Sequence, residues 1–216
     1  QQGFTPLIRD VGRDDGLGGV DVLNIAMPWS DAFIPAVKEY IAEIKPKLVI
    51  IHSTVAPGTT REIGKVFPNV VHSPVRGVHP NVAEGIQTFT KALGGSGAQD
   101  AEKHLKELGI PTKVYETSMT TEIAKLLDTS YYGVCIAWHD YAKQLCDLWG
   151  VDFEEAQTHY NHSYNSGYRA LGKHNVVRPT LTPPEGSIGG HCVVPNAELL
   201  REILDSPLLQ SITNLK

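Results

Sequence analysis

Nothing in the 216 residues approaches the ~18 consecutive apolar side chains that a bilayer-spanning helix requires. The chain does not open on a basic-then-apolar signal segment either. No run of Lys and Arg is present to track a phosphate backbone, and the formal net charge of -5 is mild and spread along the sequence, so nucleic acid is excluded as a partner. Cysteine is scarce. Cys135, Cys146 and Cys192 are odd in number and irregularly spaced, which argues against a disulfide framework and for a reducing compartment, with at least one free thiol. There is no internal repeat and no low-complexity linker. What remains is a cytoplasmic chain suited to small molecules. Its 41% hydrophobic and 20% charged residues have the balance of a globular protein with one large or two small cores.

The first half alternates strand and helix signals. Gly3 to Asp10 reads as a strand entered from a glycine turn and ending on an acid. Asp21 to Pro28 reads as a second buried strand, and residues 31 to 44 carry apolar positions 33, 34, 37, 41 and 44 at helical spacing. Leu48 to Ile51 is a continuous apolar run closed by Ser53, Thr54, Pro57 and Gly58, as expected of a parallel strand buried on both faces. Helix near 59–66, strand at 69–72, helix at 99–108 and strand at 111–115 continue the alternation. This is α/β grammar, and it predicts a Rossmann-like parallel sheet lacking its first strand, in a domain spanning 1–118. From about Thr120 the pattern becomes one helical segment ending at Gly150, with apolar residues 123, 126, 127, 131, 134, 138, 141, 145 and 148 forming a stripe expected to be buried. Two partners fit that stripe: a second copy of the chain, giving a homodimer through the 120–150 helix, or the chain's own C-terminal region. A short helix is expected at 151–160 and a loop with small helical pieces at 161–184. A glycine-rich turn at 185–192 and a helix at 196–204 complete a mostly helical second domain, 119–216.

Cys192 is the sharpest chemical feature, a lone thiol after Gly189-Gly190-His191, where the two glycines let backbone approach a ligand. A thiol at a helix start forms thiolate more readily and suits covalent catalysis. The competing reading is that a free cysteine simply packs. Lys125 and Thr129, at i and i+4, share a helix face and suit oxyanion or water binding; a solvated lysine with a back-bonding threonine explains them equally. Ser53 to Thr60 falls at the carboxyl end of a strand, the crevice where open α/β sheets bind ligands, and its hydroxyls serve as well as helix caps. His159, His162, His174 and His191 match no metal-ligand pattern, and no metal is expected.

In order along the chain, these segments resemble the UDP-glucose/GDP-mannose dehydrogenase family. Ser53-Thr54-Val55-Ala56-Pro57-Gly58-Thr59-Thr60 is similar to its Ser-Thr-Val-Pro-Pro-Gly-Thr-Thr segment. Glu122-Ile123-Ala124-Lys125-Leu126-Leu127 is similar to the start of its central helix, and Gly189-Gly190-His191-Cys192 to its catalytic-cysteine loop in the version associated with N-acetylated sugars. The resemblance implies NAD-dependent oxidation of the C6 alcohol of a nucleotide sugar to a carboxylate, through a cysteine thiohemiacetal and thioester. It implies Cys192 as nucleophile, Lys125 as oxyanion stabiliser, Thr54 as the group positioning water, and Thr129 and Asn196 beside them. It also implies cofactor contacts at Asp10, Pro28, Ser53 and Thr54, and sugar contacts at Gly189, Gly190 and His191.

Three positions depart from the family pattern. Val75 stands for the glutamate of Ser-Pro-Glu-Arg, Thr129 for an asparagine and Asn196 for an aspartate, so two carboxylates are gone, and loss of a general base costs on the order of 10²- to 10⁴-fold. The family's opening strand with Gly-x-Gly-x-x-Gly is not seen before Gln1-Gln2-Gly3, nor its third domain after Lys216, and the expectation is weak or absent NAD binding by the chain as it stands. Two further readings stay open: a non-catalytic dimeric binding or regulatory relative, and a dehydrogenase of small hydroxy acids.

Overall fold

This computed structural model describes residues 5–77, 81–188 and 192–215. The chain forms two compact units, Gln1–Lys125 and Leu126–Lys216.

The first unit is built on a five-stranded sheet: β3 (Val22–Ile25), β4 (Leu48–Ile51), β5 (Val70–His72), β6 (Lys91–Gly94) and β7 (Thr112–Tyr115), hydrogen-bonded in that order. Its most apolar run explains the layering. All four residues of β4 are buried, and because side chains alternate across a strand, Val49 and Ile51 join one core while Leu48 and Ile50 join the other. The first core is closed by Phe33, Val37 and Ile41 of α1 (Phe33–Ile44) and by Ile63 of α2 (Thr59–Gly64). The second is closed by Ala98, Ala101 and Leu105 of α4 (Ala98–Glu107). α1 stops at Lys45, which takes a left-handed conformation at φ 53° and returns its N–H to the Ile41 carbonyl, and Pro46 prevents continuation.

The fold is α/β and Rossmann-like as the sequence predicts, with three differences. Among its described residues, the strand expected at 3–10 is not in the sheet: only Arg9–Asp10 (β1) is strand, paired antiparallel with Arg13–Asp14 (β2) in a hairpin. Gly12, at φ 78°, permits the turn, and Arg9 is drawn to Asp14 and Glu43 by ion pairs. Second, α3 (Val82–Thr88) and β6 stand where no elements were expected. Third, the sheet is mixed, because β6 meets β5 antiparallel at the His72–Gly94 pair and runs parallel with β7.

α5 (Ser118–Trp149) is the predicted long helix. Its apolar stripe is not buried as a whole. Leu126 is fully enclosed, whereas Leu127, Tyr131, Trp138, Tyr141, Leu145 and Leu148 are exposed. In the second unit, Val134 and Ile136 of α5 pack on Ile188, Val193, Ala197 and Ile212. Val193 and Ala197 belong to α7 (Val193–Ile203) and Ile212 to α8 (Pro207–Thr213), the latter not foreseen. The helix expected at 151–160 is largely a π-helical stretch, Glu154–His159, and it runs on into α6 (Tyr160–Ala170), so the first part of the segment expected as loop with small helical pieces is a regular helix. A 3-10 turn at His174–Val176 is followed by irregular chain. Among the described residues no helix is long and apolar enough to cross a membrane.

Gly94 sets how closely β6 and the start of α5 approach, since a Cβ there would lie 2.5 Å from the Thr117 carbonyl oxygen and 2.9 Å from Ser118 Cα. Backbone cannot yield as a side chain does. Gly94→Ala is expected to lower stability by about 1–3 kcal/mol, read as an earlier urea midpoint with unchanged slope.

Candidate functional site

The chain leaving β4 must turn into α2, and α2 has no capping side chain of its own. Gly58 makes the turn at φ 97°, a conformation costly for any residue with a Cβ. The orphan amides of this helix start are taken by Glu122 of α5: one carboxyl oxygen accepts from the Gly58 N–H at 2.7 Å, the other from the Thr60 N–H at 2.8 Å. Glu122 is fully buried. The segment's hydroxyls are therefore not caps; Ser53 Oγ donates to the Met27 carbonyl at 2.6 Å and Thr59 Oγ1 to the Ala56 carbonyl at 2.6 Å. Lys125 lies three residues beyond Glu122 on the same helix.

Around the carboxyl ends of β4 and β5 stands a cluster of basic side chains that sequence reading passed over. His52 Nε2 lies 2.9 Å from Asn24 Oδ1, and its Nδ1 lies 3.1 Å from both Lys91 Nζ and the Ser73 carbonyl oxygen. Lys91, itself buried, also donates to the carbonyls of Ser73 at 2.7 Å and Pro74 at 3.3 Å. His72 Nε2 donates to the Ser53 carbonyl at 3.1 Å, and its Nδ1 lies 2.8 Å from Thr121 Oγ1. Burial, followed by the nearby Lys91 charge, pushes His52 down to about 3. Burial lowers His72 to about 4, opposed by its bond to Ser53 and helped by Lys91 and Lys125. Burial together with Arg76 and Lys125 lowers Lys91 to about 8. The signal available in sequence was positional: His52 follows one buried strand and His72 closes the next.

In this unit, Pro28 is exposed and Ser53 and Thr54 half-buried, on the stretches that leave the carboxyl ends of β3 and β4. Asp10 lies apart from the sheet, exposed in the β1–β2 hairpin, with its own Oδ1 accepting the Val11 N–H at 2.7 Å. The strand on which its ribose role rested is not part of this sheet.

In the second unit, Cys192 is the residue preceding α7, and it is exposed rather than packed. One turn on, the Asn196 N–H donates to the Cys192 carbonyl at 3.2 Å, so α7 brings these two candidates together. Asn196 is buried and its Nδ2 has no hydrogen-bond partner. Thr129 is half-buried on α5. Gly189, Gly190 and His191 lie outside the described residues. Among the described residues no group of three His, Cys, Asp or Glu side chains is placed to hold a metal ion.

No protein-family model matches the chain. It is 26% identical over 187 residues to the UDP-N-acetyl-D-mannosamine dehydrogenase of Methanococcus maripaludis strain S2, covering 84% of this chain and 39% of that protein. The enzyme of the same name from Methanocaldococcus jannaschii is 28% identical over 166 residues, covering 71% of this chain and 36% of that one. The chain thus spans about two-fifths of the length of the curated relatives it matches. Among solved structures, the UDP-D-ManNAc dehydrogenase of Pyrococcus horikoshii superposes with a TM-score of 0.74 at 22% identity, covering 91% of this chain and 50% of that one. The 3-hydroxyisobutyrate dehydrogenase of Mycobacterium tuberculosis gives 0.61 at 17% identity, covering 90% and 72%. The motif resemblance is thereby borne out by relatives bearing nucleotide-sugar dehydrogenase names, and the neighbours give the fold as that of Rossmann-like dehydrogenases.

Two outcomes follow. Glu122→Ala strands one buried and one part-buried amide and is expected to cost about 3 kcal/mol, with Glu122→Gln, which keeps one acceptor, costing about half, both read by urea denaturation. The unfolded chain protonates its histidines below about pH 6.5, whereas the folded chain holds His72 neutral to about 4 and His52 to about 3. Stability is thus fully present above pH 6.5 and is lost as pH falls. The loss from pH 7 to pH 5 is about 2 kcal/mol for each ring, and His72→Gln should flatten that slope by its share.

Proposed function

We propose that this chain is part of an NAD-dependent oxidoreductase that converts the C6 alcohol of a nucleotide sugar, of the N-acetylated kind, into a carboxylate. The observation that carries the reading is Cys192, an exposed thiol at the amino end of α7, in the Gly-Gly-His-Cys sequence that resembles the family's catalytic-cysteine loop. NAD, when bound, accepts a hydride at each of the two oxidations. Pro28, Ser53 and Thr54 would hold it, and they suit that role because they follow the carboxyl ends of adjacent parallel strands, where α/β sheets take dinucleotides.

The chain's own residues do the rest. The Cys192 sulfur adds to the aldehyde carbon, forming a C–S bond while the carbonyl π electrons move onto oxygen, and Lys125 stabilises that oxyanion. Loss of hydride from the same carbon leaves a thioester. Water positioned by Thr54 then attacks, the C–S bond breaks, and the thiol returns with the carboxylate as product. Thr129 and Asn196 complete the polar surroundings, with Gly189, Gly190 and His191 toward the sugar. A second copy of the chain covers the exposed aromatic and leucine face of α5 to form a homodimer.

Incubation of a protein carrying this chain behind a complete dinucleotide-binding amino terminus with NAD and UDP-N-acetyl-D-mannosamine should yield two NADH per sugar, and Cys192→Ser should prevent the second oxidation. No NADH with any UDP- or GDP-sugar, in a preparation shown to bind NAD, would establish the non-catalytic reading instead. Trp138→Glu with Tyr141→Glu is expected to shift the sedimentation of a dimer to that of a monomer; an unshifted boundary would remove the proposed interface.

A further inference from the structure

A cavity of the first unit opens beside the amino end of β5 and the first turn of α5. Val70 opens β5, and β6 and β7 run against it, so Ser96 and Thr117, just past their ends, reach the same end. Together with Thr60, Arg61 and Lys65 on one side and the first turn of α5 on the other, they enclose about 510 Å³. We propose that this cavity is a binding site for a small phosphomonoester.

Its chemistry is one-sided. No carboxylate lines it. Lys65 is ion-paired with Glu62, but Arg61 has no ion-pair partner among the described residues. The 32-residue helix α5 presents its amino end here: Thr117 caps it by accepting the Thr120 N–H at 3.3 Å, while Ser118 and Met119 face the space. Such an end favours an anion. A second observation points to a ligand independently. Thr60, only 2% exposed and part of the cavity wall, carries a hydroxyl without any hydrogen-bond partner. Its neighbours do not share the deficit, since Thr59 donates to Ala56 and Ser96 to Pro68. A buried orphan hydroxyl in an otherwise satisfied wall is the group a bound acceptor would complete. The volume exceeds what a bare phosphate fills and lies within the range of small-molecule sites, and Val70 and Met119 offer apolar surface to an organic portion.

The inference stands apart from the oxidoreductase reading, because none of the residues lining this cavity is among those assigned to NAD, the sugar or the thiol chemistry. Isothermal titration with glucose 6-phosphate, inorganic phosphate and glucose tests it. The hexose phosphate is expected to bind more tightly than inorganic phosphate and glucose not at all. Arg61→Ala should weaken hexose phosphate binding by about tenfold, the loss of one charge-assisted pair, with its melting temperature unchanged. Thr60→Val should weaken it several-fold. Absence of binding by both phosphates, binding undiminished in Arg61→Ala, or displacement of the hexose phosphate by NAD would each overturn the proposal.

Discussion

The two oxygens of Glu122 are the constraint on which the arrangement at the sheet's carboxyl edge depends. α2 has six residues, too few to form a stable helix by its own propensity, and its entry turn uses a left-handed glycine in place of a capping side chain. Without an external acceptor its first amides would be buried and unpaired. Because that acceptor comes from α5, 62 residues away from Thr60, the loop leaving β4 and the start of the long helix hold each other in place. Lys125 inherits its position from the same anchor, one turn along.

Electrostatics at this edge is set by what is missing. Lys91 is buried among carbonyl oxygens and an imidazole, with no carboxyl group among the partners it donates to. Its charge, and that of Lys125, reinforce the burial that keeps His72 neutral. Two neutral histidines therefore act as backbone-bridging amides would, tying strand ends through directional bonds rather than through charge. Val75, where the related motif has a glutamate, follows directly on the two carbonyls that Lys91 grips.

The sheet's centre was legible because Leu48 to Ile51 is an uninterrupted apolar run, and burial on both faces is the one arrangement that uses all four side chains. α5 was legible from its period. β6 was not: a lysine opens it, and only Ala92 and Leu93 are apolar before two glycines, so no run is long enough to count. α6 was hidden by composition, since Asn, Gly and Ser suggest a loop. Its signal was Tyr160, Tyr164 and Tyr168 at helical spacing, whose rings stand 6.0 and 5.4 Å apart, with the Arg178 guanidinium 4.4 Å from the Tyr164 ring centre. The strand assigned to residues 3–10 failed because a polar hairpin with its own ion pairs competes for the same residues. Of the candidate site, Cys192 and Ser53 to Thr60 could be picked out by local motif. Glu122's role could not, because a cap supplied from another element leaves no trace in nearby sequence.

The sheet consists of two parallel blocks meeting at a seam, and the backbone register across that seam is a single pair, His72 with Gly94. Most sheets close such a junction with a ladder that every residue supplies alike and no substitution removes. Here Lys91 reaches over the seam and bonds two carbonyls beyond the last strand residue of β5. Part of the sheet's continuity is thus encoded in a side chain, and so lies open to mutation: one codon governs how firmly the halves are sewn, where an ordinary ladder would have shielded the joint from drift.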